Sequence, residues 1–187
     1  MQTQEQTQNL KTPCYAVIIP AYNEEKYLPQ TLQNLQNMMA LIDRPGEIIV
    51  TAEIAKAYGT RLTFEAINQI SRARNAGARL AKSDYLIFLD ADTEISEGLL
   101  RSALQKLDEG HCGGGTLITF DRPTGPFSKI ILSAWTTISL YFKLAAGSFI
   151  YCRRDAFETI EGFSEKLYAA EEIRLSSELK KWGKKHN

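Results

Sequence analysis

Histidine and cysteine are scarce in this chain of 187 residues, and their scarcity narrows its chemistry. The two histidines, His111 and His186, have no companion ligands beside them in the sequence. The three cysteines, Cys14, Cys112 and Cys152, are odd in number, far apart and without a C-x-x-C pair. Neither a zinc site nor a disulfide framework is expected, and a reducing compartment suits the thiols. Neither sign of charge is in surplus, since Lys+Arg and Asp+Glu both number 22. A chain whose main work is gripping nucleic acid would carry a basic excess, so no nucleic-acid partner is expected. Long hydrophobic runs are missing too. The longest near-apolar stretch, Ile130 to Phe142 between Lys129 and Lys143, falls short of the roughly 20 residues that cross a bilayer. It reads as a buried helix, with an interfacial membrane helix as the alternative. Residues 1–12 are polar and Gln/Thr-rich, lacking the basic and apolar segments of a signal peptide, and read as a disordered tail.

What is present is ordinary globular material, 44% hydrophobic and 24% charged, enough for one domain over residues 13–187. Tyr15 to Ile19 reads as a strand that stops at Pro20, Ala21, Tyr22 and Asn23. A helix is expected from Asn23, capped by that side chain, with Glu24 and Glu25 in its first turn and Leu28, Leu32, Leu35 and Met39 on its apolar face. Glu47 to Val50 and Arg61 to Phe64 read as strands, with a short helix from Thr51 to Tyr58 between them. Ser71 to Ala81 is an Ala/Arg-rich helix, whose small residues Ala73, Ala76, Gly77 and Ala78 allow close packing. Tyr85 to Leu89 is a buried strand. Ser96 caps a helix ending at Gly110, and Thr116 to Phe120 reads as a strand. Further elements are a helix from Phe127 to Ala145, a strand from Gly147 to Cys152, and a last helix from Glu171 to Trp182 stopped by Gly183. Strands alternating with helices give an α/β class with a mainly parallel central sheet flanked by helices. One junction is abrupt: Val50 passes into the expected helix at Thr51 with almost no connecting loop, whereas two to six residues are usual. Either that helix starts later or residues of a mobile loop are absent here, the second being the preferred reading.

The strand Tyr85–Leu89 ends at Asp90, Ala91 and Asp92. In an open α/β sheet, ligands sit beyond the carboxyl ends of the strands. Two carboxylates there need a compensating cation or hydrogen-bond donors. A hard divalent ion, Mg²⁺ or Mn²⁺, takes oxygen ligands and shares them with phosphates. The alternative is that one of the aspartates merely caps the following turn.

Four segments occur in one order: Val17 to Glu25 (VIIPAYNEE), Ser71 to Gly77 (SRARNAG), Phe88 to Asp92 (FLDAD) and Ala170 to Ile173 (AEEI). Together they resemble a family 2 glycosyltransferase with a GT-A type nucleotide-diphospho-sugar transferase fold, over roughly residues 14 to 185. The resemblance implies an inverting transfer from a nucleotide-diphosphate sugar, a UDP-sugar, with a divalent metal. It implies Asp92 as the metal ligand, with Asp90 and Ala91 beside it and Asp90 near the ribose or the metal's outer shell. Pro20, Ala21, Tyr22 and Glu24 would line the nucleotide pocket. Arg74 would bring positive charge near the donor, the alternative being a solvated or salt-bridged helix face. Glu172 would be the general base and Glu171 its positioning neighbour, where relatives usually carry Asp as the base. The plainer alternative for both is two glutamates favouring a helix N-terminus, as it is for Glu24.

Relatives also carry a second acidic loop after the second strand, which this chain lacks at Val50–Thr51; it is either deleted or disordered. A non-catalytic nucleotide-sugar binder is therefore a rival. A sugar nucleotidyltransferase is a further one, although the Gly-rich basic loop it would need after the first strand is replaced by Pro20 to Asn23. Trp135 and Tyr141 read as core or as the wall of an acceptor pocket. The acceptor, whether glycan, lipid-linked or small molecule, is open. Lys180, Lys181, Lys184 and Lys185 read either as a solvated helix end or as a contact with an anionic membrane surface. The expected location is cytoplasmic, with the inner face of the membrane as an option.

Overall fold

A computed structural model of the chain describes residues 12–22, 24, 26–52, 61–63, 65–116, 148–167 and 170–186. Six strands form one sheet: β1 (Tyr15–Ala21), β2 (Gly46–Ala52), β3 (Arg61–Thr63), β4 (Tyr85–Leu89), β5 (Gly113–Gly115) and β6 (Phe149–Arg153). Their order is β3-β2-β1-β4-β6-β5. The four strands β3, β2, β1 and β4 run parallel, β6 pairs antiparallel with β4, and β5 pairs antiparallel with β6. Among the described residues five helices flank the sheet: α1 (Leu28–Ala40), α2 (Ile70–Leu80), α3 (Glu97–Asp108), α4 (Arg154–Thr159) and α5 (Glu171–His186).

The central strands are apolar on both faces because both faces are covered. Tyr15, Val17, Ile19, Ile87 and Leu89 join Leu28, Leu32, Leu35, Leu100 and Leu104 in one core layer. Ala16, Ile18, Leu86 and Phe88 join Ala78, Phe157, Phe163, Leu175 and Leu179 in the other. Alternate residues of each strand therefore feed opposite layers, as a pleated backbone requires. Gly77 lets α2 lie close on β1: a Cβ there would come within 2.4 Å of Ile18 Cγ2. Ser96 caps α3 as expected, its hydroxyl accepting from the Leu99 N–H at 3.2 Å.

Several boundaries differ from expectation. Helix α1 begins at Leu28, and Asn23 lies outside the described residues. A start at Asn23 would have put Pro29 inside the helix, where its ring clashes and its missing N–H is felt; at the first turn it costs nothing. Thr51 and Ala52 are not helical. They extend β2 in register with Pro20 and Ala21 of β1, which dissolves the abrupt Val50–Thr51 junction, since no loop is needed inside a strand. The remainder of that expected helix, the helix from Phe127 to Ala145, residues 117–120 of the expected strand and residues 1–11 of the tail lie outside the described residues. Thr116 itself is not part of a strand; the preceding glycines form β5, where a Cβ on Gly114 would meet the Tyr151 hydroxyl oxygen at 2.6 Å. β6 begins at Phe149. Helix α5 runs through Gly183 to His186, because Gly183 is buried against Cys112 Sγ and packing outweighs its poor helix propensity.

Candidate active site

The carboxyl ends of β1, β2 and β4 converge on a cleft of about 270 Å³. Seven of the residues expected in the site line it: Pro20 and Ala21 at the end of β1, Tyr22 and Glu24 just after it, and Asp90, Ala91 and Asp92 after β4. Tyr22 is well exposed there. The Asp-Ala-Asp segment is a tight turn, closed by the Thr93 N–H donating to the Asp90 carbonyl at 3.1 Å. Asp90 N–H donates in turn to Ser148 O at 3.0 Å, anchoring the turn to the residue before β6. Asp92 projects into solvent, and its hydrogen bond is from the neighbouring Thr93 hydroxyl at 3.4 Å. Neither aspartate caps a helix; that role belongs to Ser96.

Arg74, Glu171 and Glu172 do not line the cleft, yet they are joined to it. Arg74 is 1% exposed, so the solvated-face alternative does not hold. Its guanidinium donates through Nη2 to Asp90 Oδ1 at 2.8 Å and through Nη1 to Glu172 Oε1 at 3.0 Å and Glu171 Oε1 at 3.4 Å. The ring of Phe163 lies 5.1 Å from the guanidinium carbon. Burial works against the Arg74 cation, but Asp90 and Glu172 outweigh it and raise its pKa above the ordinary value. Burial also pushes the Asp90 carboxyl up, with Arg74 pulling the other way. Glu171, nearly inaccessible at 3% exposure, is raised by burial and by the Glu172 carboxylate beside it. Three carboxylates thus surround one buried cation. Such a cluster is held with a net negative charge unless a proton or an incoming cation offsets it.

The sequence did not point to the residues that build the rest of the wall. Thr51, Glu65 and Gln69 line the end of the cleft at β2 and β3. The Gln69 side-chain amide donates to Glu165 O and Leu167 O at 2.9 Å each. Asn75 exchanges two hydrogen bonds with the backbone of Phe163, at 2.9 and 3.0 Å. Arg72 pairs with Glu65 and Glu165. The first half of helix α2 and the residue before it therefore grip the segment Phe163–Leu167. The one advance signal was the density of polar residues in an otherwise small-residue helix. Among the described residues no group of three His, Cys, Asp or Glu side chains could hold a metal unaided. His111 and His186 are exposed, the latter stacked on Trp182. Lys181 pairs with Glu178 at 2.8 Å. No described helix is long and apolar enough to cross a membrane.

Comparison with known proteins places these features in context. The family model described as Glycosyl transferase family 2 matches residues 16–160. The glycosyltransferase GlyA of Streptococcus pneumoniae is 25% identical over 180 residues, 90% of this chain and 23% of GlyA. Staphylococcus aureus TarS, solved in complex with UDP-GlcNAc, superposes with a TM-score of 0.58 at 19% identity, covering 88% of this chain and 52% of that one. A mannosyltransferase from Pyrobaculum calidifontis, solved with GDP-Man and Mn²⁺, superposes at 0.66 and 18% identity, over 91% of this chain and 53% of that one. The chain spans less than a quarter of the curated relative's length and about half of each solved one.

Proposed function

The chain belongs to glycosyl transferase family 2 and has the GT-A fold, and from that premise we propose that it moves a sugar from a nucleotide-diphosphate donor to an acceptor hydroxyl. We take the donor to be a UDP-sugar and the transfer to invert the anomeric carbon. The observation that carries this proposal is a connection. Asp90, on the cleft, and Glu172, at the head of α5, meet on the same buried guanidinium, so a donor-side and an acceptor-side carboxylate are held as one unit.

Asp92 would hold a divalent metal, assisted by Asp90. The donor set fits a hard cation: the Asp92 carboxylate is exposed on the cleft with a single long hydrogen bond. With no third side chain at hand, donor phosphate oxygens would complete the shell. When bound, the ion would neutralise charge on the departing diphosphate. Tyr22 offers a ring to the base, while Pro20, Ala21, Glu24 and Ala91 shape the nucleotide wall. Glu172 would take the acceptor proton on Oε2, because Arg74 occupies Oε1. Glu171, behind it, sets its position. The acceptor class is undetermined by the fold, and the α5 lysines leave peripheral membrane contact open. Three unpaired cysteines suit a cytoplasmic setting.

A rival is a nucleotide-sugar binder without turnover. It is favoured by Glu172 standing where relatives usually carry Asp as the base. Incubation with UDP-GlcNAc and Mn²⁺ separates the two: release of UDP supports the transferase, and saturable binding without release supports the binder.

A further inference from the structure

Helix α1 buries Leu28, Leu32 and Leu35 on its inner face, and among them a threonine, Thr31, at 2% exposure. A hydroxyl in such a layer is costly unless it is bonded. A helical threonine usually turns its hydroxyl back to the carbonyl one turn earlier. Thr31 does not: its Oγ1 donates across to the Ala91 carbonyl at 2.7 Å, while the Tyr27 carbonyl receives the Thr31 N–H. One turn on, Asn34 Oδ1 accepts from the Ile95 N–H at 2.9 Å. On the rim Gln30 Nε2 donates to Glu94 Oε1 at 2.6 Å. Three polar side chains of α1 thus bind Ala91, Glu94 and Ile95 at the two ends of the segment 91–95.

We propose that Thr31 is a positioning residue for the Asp90-Ala91-Asp92 turn, holding its middle carbonyl so that the Asp92 carboxylate faces the cleft preorganised. The inference rests on the reading of Asp92 as the ligand of a donor-bound metal. The turn is pinned from both sides of the sheet. Arg74, from α2, holds Asp90 by its side chain, and Thr31, from α1, holds Ala91 by its backbone. Asp92, between these anchors and the Asn34 contact, has an exposed carboxylate, with the long bond from the Thr93 hydroxyl, on a fixed backbone. Such an arrangement lowers the entropy lost when a ligand is gripped.

The test uses Thr31→Val, which keeps the shape and removes the donor, and Thr31→Ser, which keeps the donor. Calorimetry with UDP and Mn²⁺ reads the metal site, and amide hydrogen exchange over residues 88–95 of the ligand-free protein reads the turn. Thr31→Val is expected to weaken UDP–Mn²⁺ binding by about fivefold to tenfold, the worth of one buried hydrogen bond, and to speed exchange in the turn. Thr31→Ser is expected to restore both. Unchanged affinity and exchange in Thr31→Val would overturn the inference, as would a Thr31→Ser variant no better than Thr31→Val. If the wild-type protein bound no UDP–Mn²⁺, the metal reading would fall and the positioning role with it, while the exchange data would still report whether the hydroxyl holds the turn.

Discussion

Arg74 donates to Asp90 across 2.8 Å from a guanidinium that solvent barely reaches. That bond ties helix α2 to the end of β4, and the same guanidinium reaches Glu171 and Glu172 at the start of α5. Three segments far apart in sequence share one cation. Replacing it by an apolar side chain strands two or three carboxylates in a poorly solvated site.

Arg74→Met is therefore expected to cost about 3–5 kcal/mol, the usual penalty for breaking a buried ion pair from one side. In a domain of this size that lowers the melting temperature by roughly 6–20 °C. Thermal unfolding followed by circular dichroism measures it, and a shift of a degree or less would show that Arg74 is not the hub.

Glu171 supplies a pH signature. Burial and the adjacent Glu172 carboxylate raise its pKa above the ordinary 4.5. A carboxyl raised in the folded state keeps its proton longer there than in the unfolded chain, so its contribution to stability is full below pH 4.5 and fades as the pH rises through the folded value. Glu171→Gln cannot ionise and escapes that loss. The stability of Glu171→Gln relative to wild type should therefore increase with pH above 4.5 in urea titrations. A difference that is flat with pH, or that shrinks, would contradict the assignment.

Much of this was legible in the sequence, and the exceptions share a cause. The strand Tyr85–Leu89 and the cap at Ser96 were clear because apolar runs and capping side chains act locally. The start of α1 was misplaced because Asn23 is a good local cap, while the position of Pro29 decides the matter. The continuation of β2 through Thr51 and Ala52 depends on pairing with β1, which no local pattern reveals. At the site, Asp90 and Asp92 stood out by chemistry and Arg74 by charge. That Arg74 would be buried among three carboxylates, or that Thr31 would reach Ala91, depends on contacts spanning 16 to 98 positions.

Glu172→Gln probes the acceptor side. Loss of a general base is expected to slow Mn²⁺-dependent release of UDP from UDP-GlcNAc by about 10²–10⁴-fold, with UDP–Mn²⁺ affinity held within about twofold. A variant that turns over at the wild-type rate would move the base elsewhere.

The central claim is that Asp92 anchors a metal-bound donor diphosphate, and titration calorimetry of UDP with and without Mn²⁺ tests it most directly. The wild-type protein is expected to bind UDP more tightly with the metal than without it. Asp92→Ala should lose that metal-dependent gain and retain the weaker metal-free binding. An Asp92→Ala variant that binds UDP–Mn²⁺ as tightly as wild type would contradict the account.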